Sequence, residues 1–408
     1  MKIKIAFFGN TCNNFFQFIK LLGNDDELDL HLYIDNKSDP QQLPENDDPE
    51  LADNYPNWIH IGSYITPKTI IFPWLSPLVK EFDKYDLVVV SHFGPVFTTF
   101  SKTPSIFFPA GADLTVHPFA ISYFNLYYHS LREKFGSLFM SFWQKKGIRR
   151  CNEVWVSQFK PYQMALERLK IPEKQIGEYI PVVYDLSKNS NKKIVLPEVK
   201  QLKIKYDFII FYPTRIMLSE NEKMRKTGNW KGNDVFMRAY KLFVDKNPKL
   251  RSILLLIDRP ASKDVNIMRA LITKLELNNK VTWLKPKNGF GFSRSELLGF
   301  YSIADVVPNE FAAGWFGSIV LEALSCGVNV VSFLDEEAMS KMYPWHPILS
   351  EKEPDKISLL LEKLCFDTAF KEENAKKGPL WVSKYHSGHR IREQLKKQLL
   401  NGNIKFNN

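Results

Sequence analysis

Residues 308–333 read PNEFAAGWFGSIVLEALSCGVNVVSF, and the order of residue types here decides the fold of the second half of the chain. The strand "DVVP" (305–308) gives way to a loop of small residues, and "SIVLEALSC" (318–326) follows with helical periodicity. Gly327 supplies the C-terminal stop, and "VNVVSF" (328–333) is the next strand. Strand, helix and strand in so short a span form the repeating unit of a parallel sheet. One residue conflicts with its surroundings: Glu322 sits among Ile319, Val320, Leu321, Ala323 and Leu324. A carboxylate in such a helix is costly unless something hydrogen-bonds it, so Glu322 is the first candidate for a functional side chain.

The same alternation extends both ways. Downstream of Lys205 come "KYDFIIFYPTR", "RSILLLID" and "KVTWL" as strands, separated by the helical patterns "NDVFMRAYKLFVDK", "DVNIMRALITKLEL" and "RSELLGFYSIA". Upstream, "KIKIAFFG", "DLHLYID", "YDLVVVSH", "SIFFPAG" and "NEVWVS" read as strands, with "FFQFIKLL" and "PYQMALERLKI" as helices. The acidic, Pro-containing stretch 39–77 reads as loop, and the Lys-rich stretch 179–203 as a linker. The tail "GHRIREQLKKQLL" is a basic amphipathic helix. A chain of 408 residues exceeds what one core usually serves, so two α/β domains are expected.

Composition excludes several classes. With 44% hydrophobic and 25% charged residues the chain is globular. Four scattered cysteines, Cys12, Cys151, Cys326 and Cys365, without C-x-x-C or His spacing read as reduced thiols of a cytoplasmic protein rather than zinc ligands. "MKIKIAFFGN" is too short in apolar residues for a signal-peptide core, and no apolar run spans a bilayer. A net charge of +10 favours an anionic partner: a phosphate-bearing small molecule, an anionic membrane or nucleic acid. No nucleic-acid motif accompanies the charge, so no nucleic-acid partner is expected. The segment 122–150 mixes aromatics with six Lys or Arg against one Glu, which as an amphipathic segment suits the inner face of a membrane and as a helix with a basic face suits a core.

Ligands of open parallel sheets bind beyond the carboxyl ends of the strands. Three sets of residues reach that edge in the second half: Arg215 after "FIIFYPT", Lys231 before the helix near Asn233, and Gly317-Ser318 at the start of the helix carrying Glu322. Gly317 admits close backbone approach, and free N–H groups at the helix start suit a phosphate. Arg215 and Lys231 add positive charge against a diphosphate. Glu322, one turn in, can accept from the vicinal hydroxyls of a ribose. Singly, a strand-end Arg or a pre-helix Lys reads as a solvated charge; the combination carries the argument.

These residues resemble the nucleotide-sugar-binding domain of the GT-B glycosyltransferases, specifically the retaining glycosyltransferase family 4, whose hallmark is roughly E-G-F-G-x-x-x-L-E-A-(M/L)-A-x-G-x-P-V-V. "GWFGSIVLEALSCGVNVV" matches it at Phe316, Gly317, Leu321, Glu322, Ala323, Gly327, Val330 and Val331. "ELLGFYSIADVVP" resembles the E-L-x-x-x-Y-x-x-A-D-V segment, "YIPVVYD" (179–185) the interdomain I-P-N-G-V-D, and "PAGAD" (109–113) the H-G-x-D of the acceptor domain.

The resemblance implies an α/β protein of the GT-B fold, two Rossmann-like domains with parallel sheets facing across a cleft. Residues 1–186 would bind acceptor, 187–383 nucleotide-sugar, and 384–408 would form a C-terminal helix packing back toward the first domain. It implies retaining, metal-independent transfer of a hexose-type unit from a nucleotide-diphosphate sugar to a saccharide or lipid-linked acceptor, in cell-surface polysaccharide or glycan assembly. No cofactor is implied, and front-face displacement is assisted by the donor phosphate. Arg215, Lys231, Glu310 and Glu322 would form the catalytic set, with Glu322 on ribose, Arg215 and Lys231 on diphosphate, and Gly317 and Ser318 on phosphate through backbone. The hallmark's first Glu is Gly314 here, so Glu310 is the replacement candidate. The acceptor-domain His is Ala110, leaving His92 or His117. Gly9, Asn10, Asp113 and Gly314 complete the acceptor or donor-sugar candidates. A long insert between Arg215 and Lys231 makes Lys223, Arg225 and Lys226 competitors for the phosphate. A silent sugar-nucleotide or glycan-binding protein and a GT-B nucleotide-sugar epimerase are the alternatives.

Overall fold

The computed structural model describes residues 2–23, 25–38, 42–52, 54–123, 130–181, 197–219, 222, 225, 228, 230–259, 263–286 and 291–401. The interdomain match beyond residue 181, and Lys223 and Lys226, lie outside the described residues. The chain divides into two compact units, Met1–Val183 with Gly388–Asn408, and Tyr184–Ser387.

Unit 1 is built on β1 (Ile3–Phe8), β2 (Leu28–Asp35), β3 (Ile59–Gly62), β4 (Leu87–Val90), β5 (Ser105–Phe107), β6 (Glu153–Trp155) and β7 (Ile176–Gly177). Among the described residues these strands form one sheet in the order β3-β2-β1-β4-β5-β6-β7, with every pairing parallel. Helices cover both faces, so successive residues of β1 enter different cores. Ile5 and Phe7 pack with Phe15 and Phe18 of the helix Asn14–Leu22, while Ala6 and Phe8 join Phe82, Val96 and Phe97 on the other side. That two-sided burial is why these strands read as continuous apolar runs.

The helix Gly388–Asn401 belongs to this unit, burying Ile391, Leu395 and Leu399 in the core that holds Phe15 and Phe18. Its other side is tied down where Asp25 accepts from Arg392 at 3.2 Å and lies 2.9 Å from Lys396.

Unit 2 carries β8 (Phe208–Tyr212), β9 (Ser252–Ile257), β10 (Val281–Leu284), β11 (Val306–Pro308), β12 (Asn329–Ser332) and β13 (Leu349–Ser350). Their order is β10-β9-β8-β11-β12-β13, again wholly parallel among the described residues. Three strands, β3, β7 and β13, fall where no strand was expected. The end of the expected linker, Pro197–Lys205, is helical.

Of the segment 122–150, residues 124–129 lie outside the described residues, and Leu131–Arg150 is one helix. The helix Leu131–Arg150 turns Ser137, Ser141, Gln144 and Gly147 inward and leaves Leu131, Phe135, Leu138 and Phe142 exposed. The cause is close approach: a Cβ on Gly147 would lie 1.7 Å from the carbonyl oxygen of Pro95, in the helix Gly94–Thr98. At such separation no side chain fits at position 147, while Met140 and Ile148 are buried elsewhere along the same helix.

Gly147→Ala should therefore destabilise unit 1 by about 3 kcal/mol through overpacking. Gly136→Ala in the same helix, where an added Cβ meets nothing within 4 Å, should be neutral or stabilising by about 0.5–1 kcal/mol. Urea unfolding of the two variants, with hydrogen exchange to read unit 1 separately, measures the difference.

Candidate functional site

In unit 2 the strand order reverses between β8 and β11, and the polar residues gather at the carboxyl ends of those strands. Thr214, just past β8, donates to Asn309 Oδ1 at 3.3 Å, just past β11. Ser332 at the end of β12 donates to the Glu310 carbonyl at 2.9 Å, and Phe333 N–H to the same carbonyl at 2.7 Å. These bonds fix the backbone of Asn309 and Glu310. Lys231 is brought to the same point by its main chain: its N–H donates to Met217 O at 3.0 Å, and its carbonyl accepts from Phe311 N–H at 2.8 Å. Gly232 follows at φ +68°, where a Cβ would meet the Phe311 backbone at 2.9 Å, so this crossing requires glycine.

The result is a contact between residues 79 apart in sequence: Lys231 Nζ donates to Glu310 Oε2 at 2.6 Å. Glu310 is 6% exposed, and its other oxygen, Oε1, is buried with no hydrogen-bond partner among the described residues. A half-satisfied buried carboxylate is expensive.

The helix Ser318–Ser325 begins at Gly317, and no side chain caps it. Gly317 has φ −112°, open to any residue, and a Cβ there would touch nothing within 4 Å. Neither backbone strain nor crowding requires this glycine, and its missing side chain leaves the helix N-terminus open. Glu322 is 5% exposed and accepts from the Tyr301 hydroxyl at 2.9 Å. Burial, followed by the Glu322 charge, pushes the Tyr301 phenol well above its ordinary range, so it stays a donor. Gly314, where the hallmark has Glu, adopts φ +73°, and a Cβ there would sit 3.1 Å from Asp335 N. It is a turn residue whose carbonyl accepts from that same Asp335 N–H at 2.8 Å.

Arg215 is exposed beyond β8 and Arg225 is exposed in the insert. Sequence reasoning overlooked Arg259, two residues past β9, which donates to Pro213 O at about 3.4 Å. Burial, then the charge of neighbouring Arg215, lowers its guanidinium to about 10. Its signal was a positive charge closing the apolar strand "SILLLIDR". Among the described residues no group of three or more His, Cys, Asp or Glu is arranged to hold a metal ion.

Unit 1 reverses its strand order between β1 and β4. Gly9 ends β1 at φ +92°, so close to β4 that a Cβ would lie 2.6 Å from Ser91 O. Asn10 is spent on the fold: its amide donates to Asn13 Oδ1 at 2.7 Å and Gln42 O at 2.8 Å, and its oxygen accepts from Phe16 N–H at 3.0 Å. Asp113 likewise accepts from the N–H groups of His92, Ala110 and Leu114 at 2.9 to 3.1 Å. Gln144, fully buried, donates to both His92 O at 2.9 Å and Asp113 O at 3.0 Å. His92, in the left-handed region at φ +54°, and Phe93 line a pocket of about 230 Å³ with Gly9, Asp35 and Ile65. The His117 ring packs tilted against Phe93 at 5.0 Å, and its Nδ1 is buried without a partner among the described residues. Burial lowers His92 to about 4 and, with the neighbouring His92, His117 to about 3.

No protein-family model and no curated protein matches the chain. Solved structures do. Anabaena HepE (Alr3699) in complex with UDP and glucose superposes with a TM-score of 0.64 at 16% identity, over 98% of this chain and 99% of that one. Sucrose-phosphate synthase from Thermosynechococcus elongatus gives 0.61 at 15%, over 98% and 99%. A putative UDP-N-acetylglucosamine 2-epimerase from Listeria monocytogenes gives 0.58 at 11%, over 98% and 97%. At these identities the likeness is one of fold: the chain has the GT-B fold, two Rossmann-like units built on parallel sheets.

The two histidines and Asp113 set a pH dependence. Each histidine binds its proton near 6.5 when unfolded but near 4 or 3 when folded, so its contribution is complete above about 6.5 and is lost as pH falls. Asp113 opposes this, since burial raises it to about 6 and the fold prefers it protonated. Near pH 5 the unfolded unit holds roughly one proton more than the folded one from these three groups, a loss of about 1.4 kcal/mol per unit of acidification. His117→Phe should remove about one proton from that slope, read as unit 1 stability by hydrogen exchange between pH 7 and 4.5.

Proposed function

We propose that this protein is a glycosyltransferase that takes a sugar from a nucleotide-diphosphate donor held by unit 2 and passes it to a saccharide or lipid-linked acceptor, for cell-surface polysaccharide or glycan assembly. The observation that carries this reading is Glu310: a buried carboxylate at the strand-order reversal, paired to Lys231 through one oxygen and unpartnered at the other. A donor-sugar hydroxyl would satisfy Oε1, giving Glu310 the place of the hallmark Glu absent at Gly314. Gly317 and Ser318 would meet the phosphates through the open helix start. Arg215, Lys231 and Arg259 would neutralise the diphosphate as it leaves, which requires no metal and no cofactor. Glu322, oriented by Tyr301, would accept from the ribose hydroxyls. With no protein nucleophile assigned, transfer with retention follows from front-face displacement assisted by the donor phosphate.

A second reading draws on the fold shared with the putative 2-epimerase: the same donor site could invert a centre on the bound sugar without any acceptor. A silent nucleotide-sugar or glycan-binding protein is the third reading, drawn from the missing Glu at Gly314 and the missing His at Ala110.

A thermal-shift panel of nucleoside diphosphates and their sugars tests the donor site. The cognate nucleotide at 100 times its Kd should stabilise the protein by about 2.7 kcal/mol, and a flat panel would remove the reading. Nucleotide release only when acceptor glycans are added marks a transferase, acceptor-independent interconversion an epimerase, and binding without either a silent protein. Glu322→Gln, which still accepts from Tyr301, should weaken nucleotide binding about ten-fold by losing the charge that holds ribose. Glu310→Gln should leave nucleotide affinity within about three-fold while lowering turnover about a hundred-fold. A loss of nucleotide affinity with turnover at saturating donor unchanged would place Glu310 in ground-state binding alone.

A further inference from the structure

We infer that the outer face of the helix Leu131–Arg150 is a docking surface for an anionic lipid bilayer. Leu131, Phe135, Leu138 and Phe142 follow one another at intervals of four and three residues, which places them within about 60° of arc on an α-helix. Leu131 is 86% exposed, Phe135 56% and Phe142 57%, an unusual state for a contiguous apolar stripe. The stripe continues onto the next element: Phe142 packs on Trp143 at 4.7 Å, and Trp143 on Trp74 at 6.2 Å. Trp74 and its neighbour Phe72 are themselves nearly half exposed.

Charge selects the occupant. The helix carries six Lys or Arg and one Glu, a net of +5, and that Glu133 accepts from the Ser130 N–H at the helix's own cap. By helical position Lys134 and Lys145 border one edge of the stripe, Lys146 the other, and Arg149 lies in line with its end. A second copy of the chain docking through this face would set the Lys134, Lys145, Lys146 and Arg149 charges of one copy against those of the other, so self-association is disfavoured. An anionic bilayer meets both features at once, apolar side chains entering the acyl boundary and cations pairing with headgroups. Among the described residues no helix is long and apolar enough to cross a membrane, so the contact is interfacial.

The surface uses none of the residues assigned to the nucleotide, so this inference and the proposed function fail separately, nucleotide stabilisation reading one and vesicle binding the other. The full chain should sediment with phosphatidylcholine vesicles containing phosphatidylglycerol and not with phosphatidylcholine alone, and added salt should release it. Phe135→Ser with Phe142→Ser should weaken binding at least about ten-fold, with the thermal midpoint and the nucleotide shift unchanged because both rings are exposed. Lys134→Gln and Lys146→Gln should each cost about five-fold. No sedimentation with anionic vesicles at low salt would overturn the inference, as would full binding by the double Phe variant. A concentration-dependent dimer abolished by that variant would assign the face to a second copy instead.

Discussion

Each sheet reverses its strand order once, between β1 and β4 in unit 1 and between β8 and β11 in unit 2. A parallel sheet can do this only by sending successive connections to opposite faces, so the chain parts at that point and leaves a crevice beyond the strand ends. The candidate residues follow from it: Gly9 and Asn10 leave β1, His92 leaves β4, Arg215 leaves β8 and Glu310 leaves β11. The crevice edges are held by short contacts across the reversal, the Gly9–Ser91 approach in one unit and the Thr214–Asn309 hydrogen bond in the other.

Buried polar groups along these edges divide by what they are spent on. Asn10 and Asp113 give nearly all their hydrogen-bonding capacity to the fold, and Gln144 donates to two backbone carbonyls while its Oε1 is buried without a partner among the described residues, which is how irregular loops stay ordered without water. Asp113 illustrates the balance, since three backbone donors surround it and burial still raises it to about 6. Glu310 is spent differently. Its single ion pair with Lys231 leaves one oxygen unmatched, and a buried pair of this kind adds little net stability because desolvation offsets the attraction. A fold optimised for stability alone would place an apolar residue there, and the proposed donor-sugar hydroxyl at Oε1 would offset the cost.

Much of this architecture was legible in the sequence. Strands β1, β4, β8 and β9 stand out because two-sided burial demands apolar runs, and β2 because Leu28, Leu30, Leu32 and Ile34 recur at every second position. β3 did not, because only one of its four residues is buried and its identity comes from pairing with Leu32–Asp35. β7 and β13 are two residues each and have no local signature. In the site, the unit-2 candidates were visible by type and position, but the Lys231–Glu310 contact spans 79 residues and the Tyr301–Glu322 bond 21. Spacing along one element cannot reveal either. Arg259 was passed over because a single strand-end arginine is indistinguishable from a solvated one until Arg215 is seen beside it.

The helix Leu131–Arg150 shows where periodicity misleads. A pattern reading assumes that bulky residues seek the core, yet here the inner face sets small and polar residues beside Met140 and Ile148 and leaves four large apolar side chains outside. Gly147 meets Pro95, Ser141 donates to Pro118 O at 2.6 Å, and Gln144 holds the His92 and Asp113 carbonyls together. The ordered edge beside the unit 1 pocket and the phenylalanines left in solvent are thus two results of one packing arrangement. Moving the phenylalanines inward would hide the apolar stripe but would leave two buried carbonyls without donors, at a cost of about 1–3 kcal/mol each. Exposing apolar surface to water instead costs about 25 cal/mol per Å², a comparable sum for four large side chains, and one that the proposed bilayer contact would return.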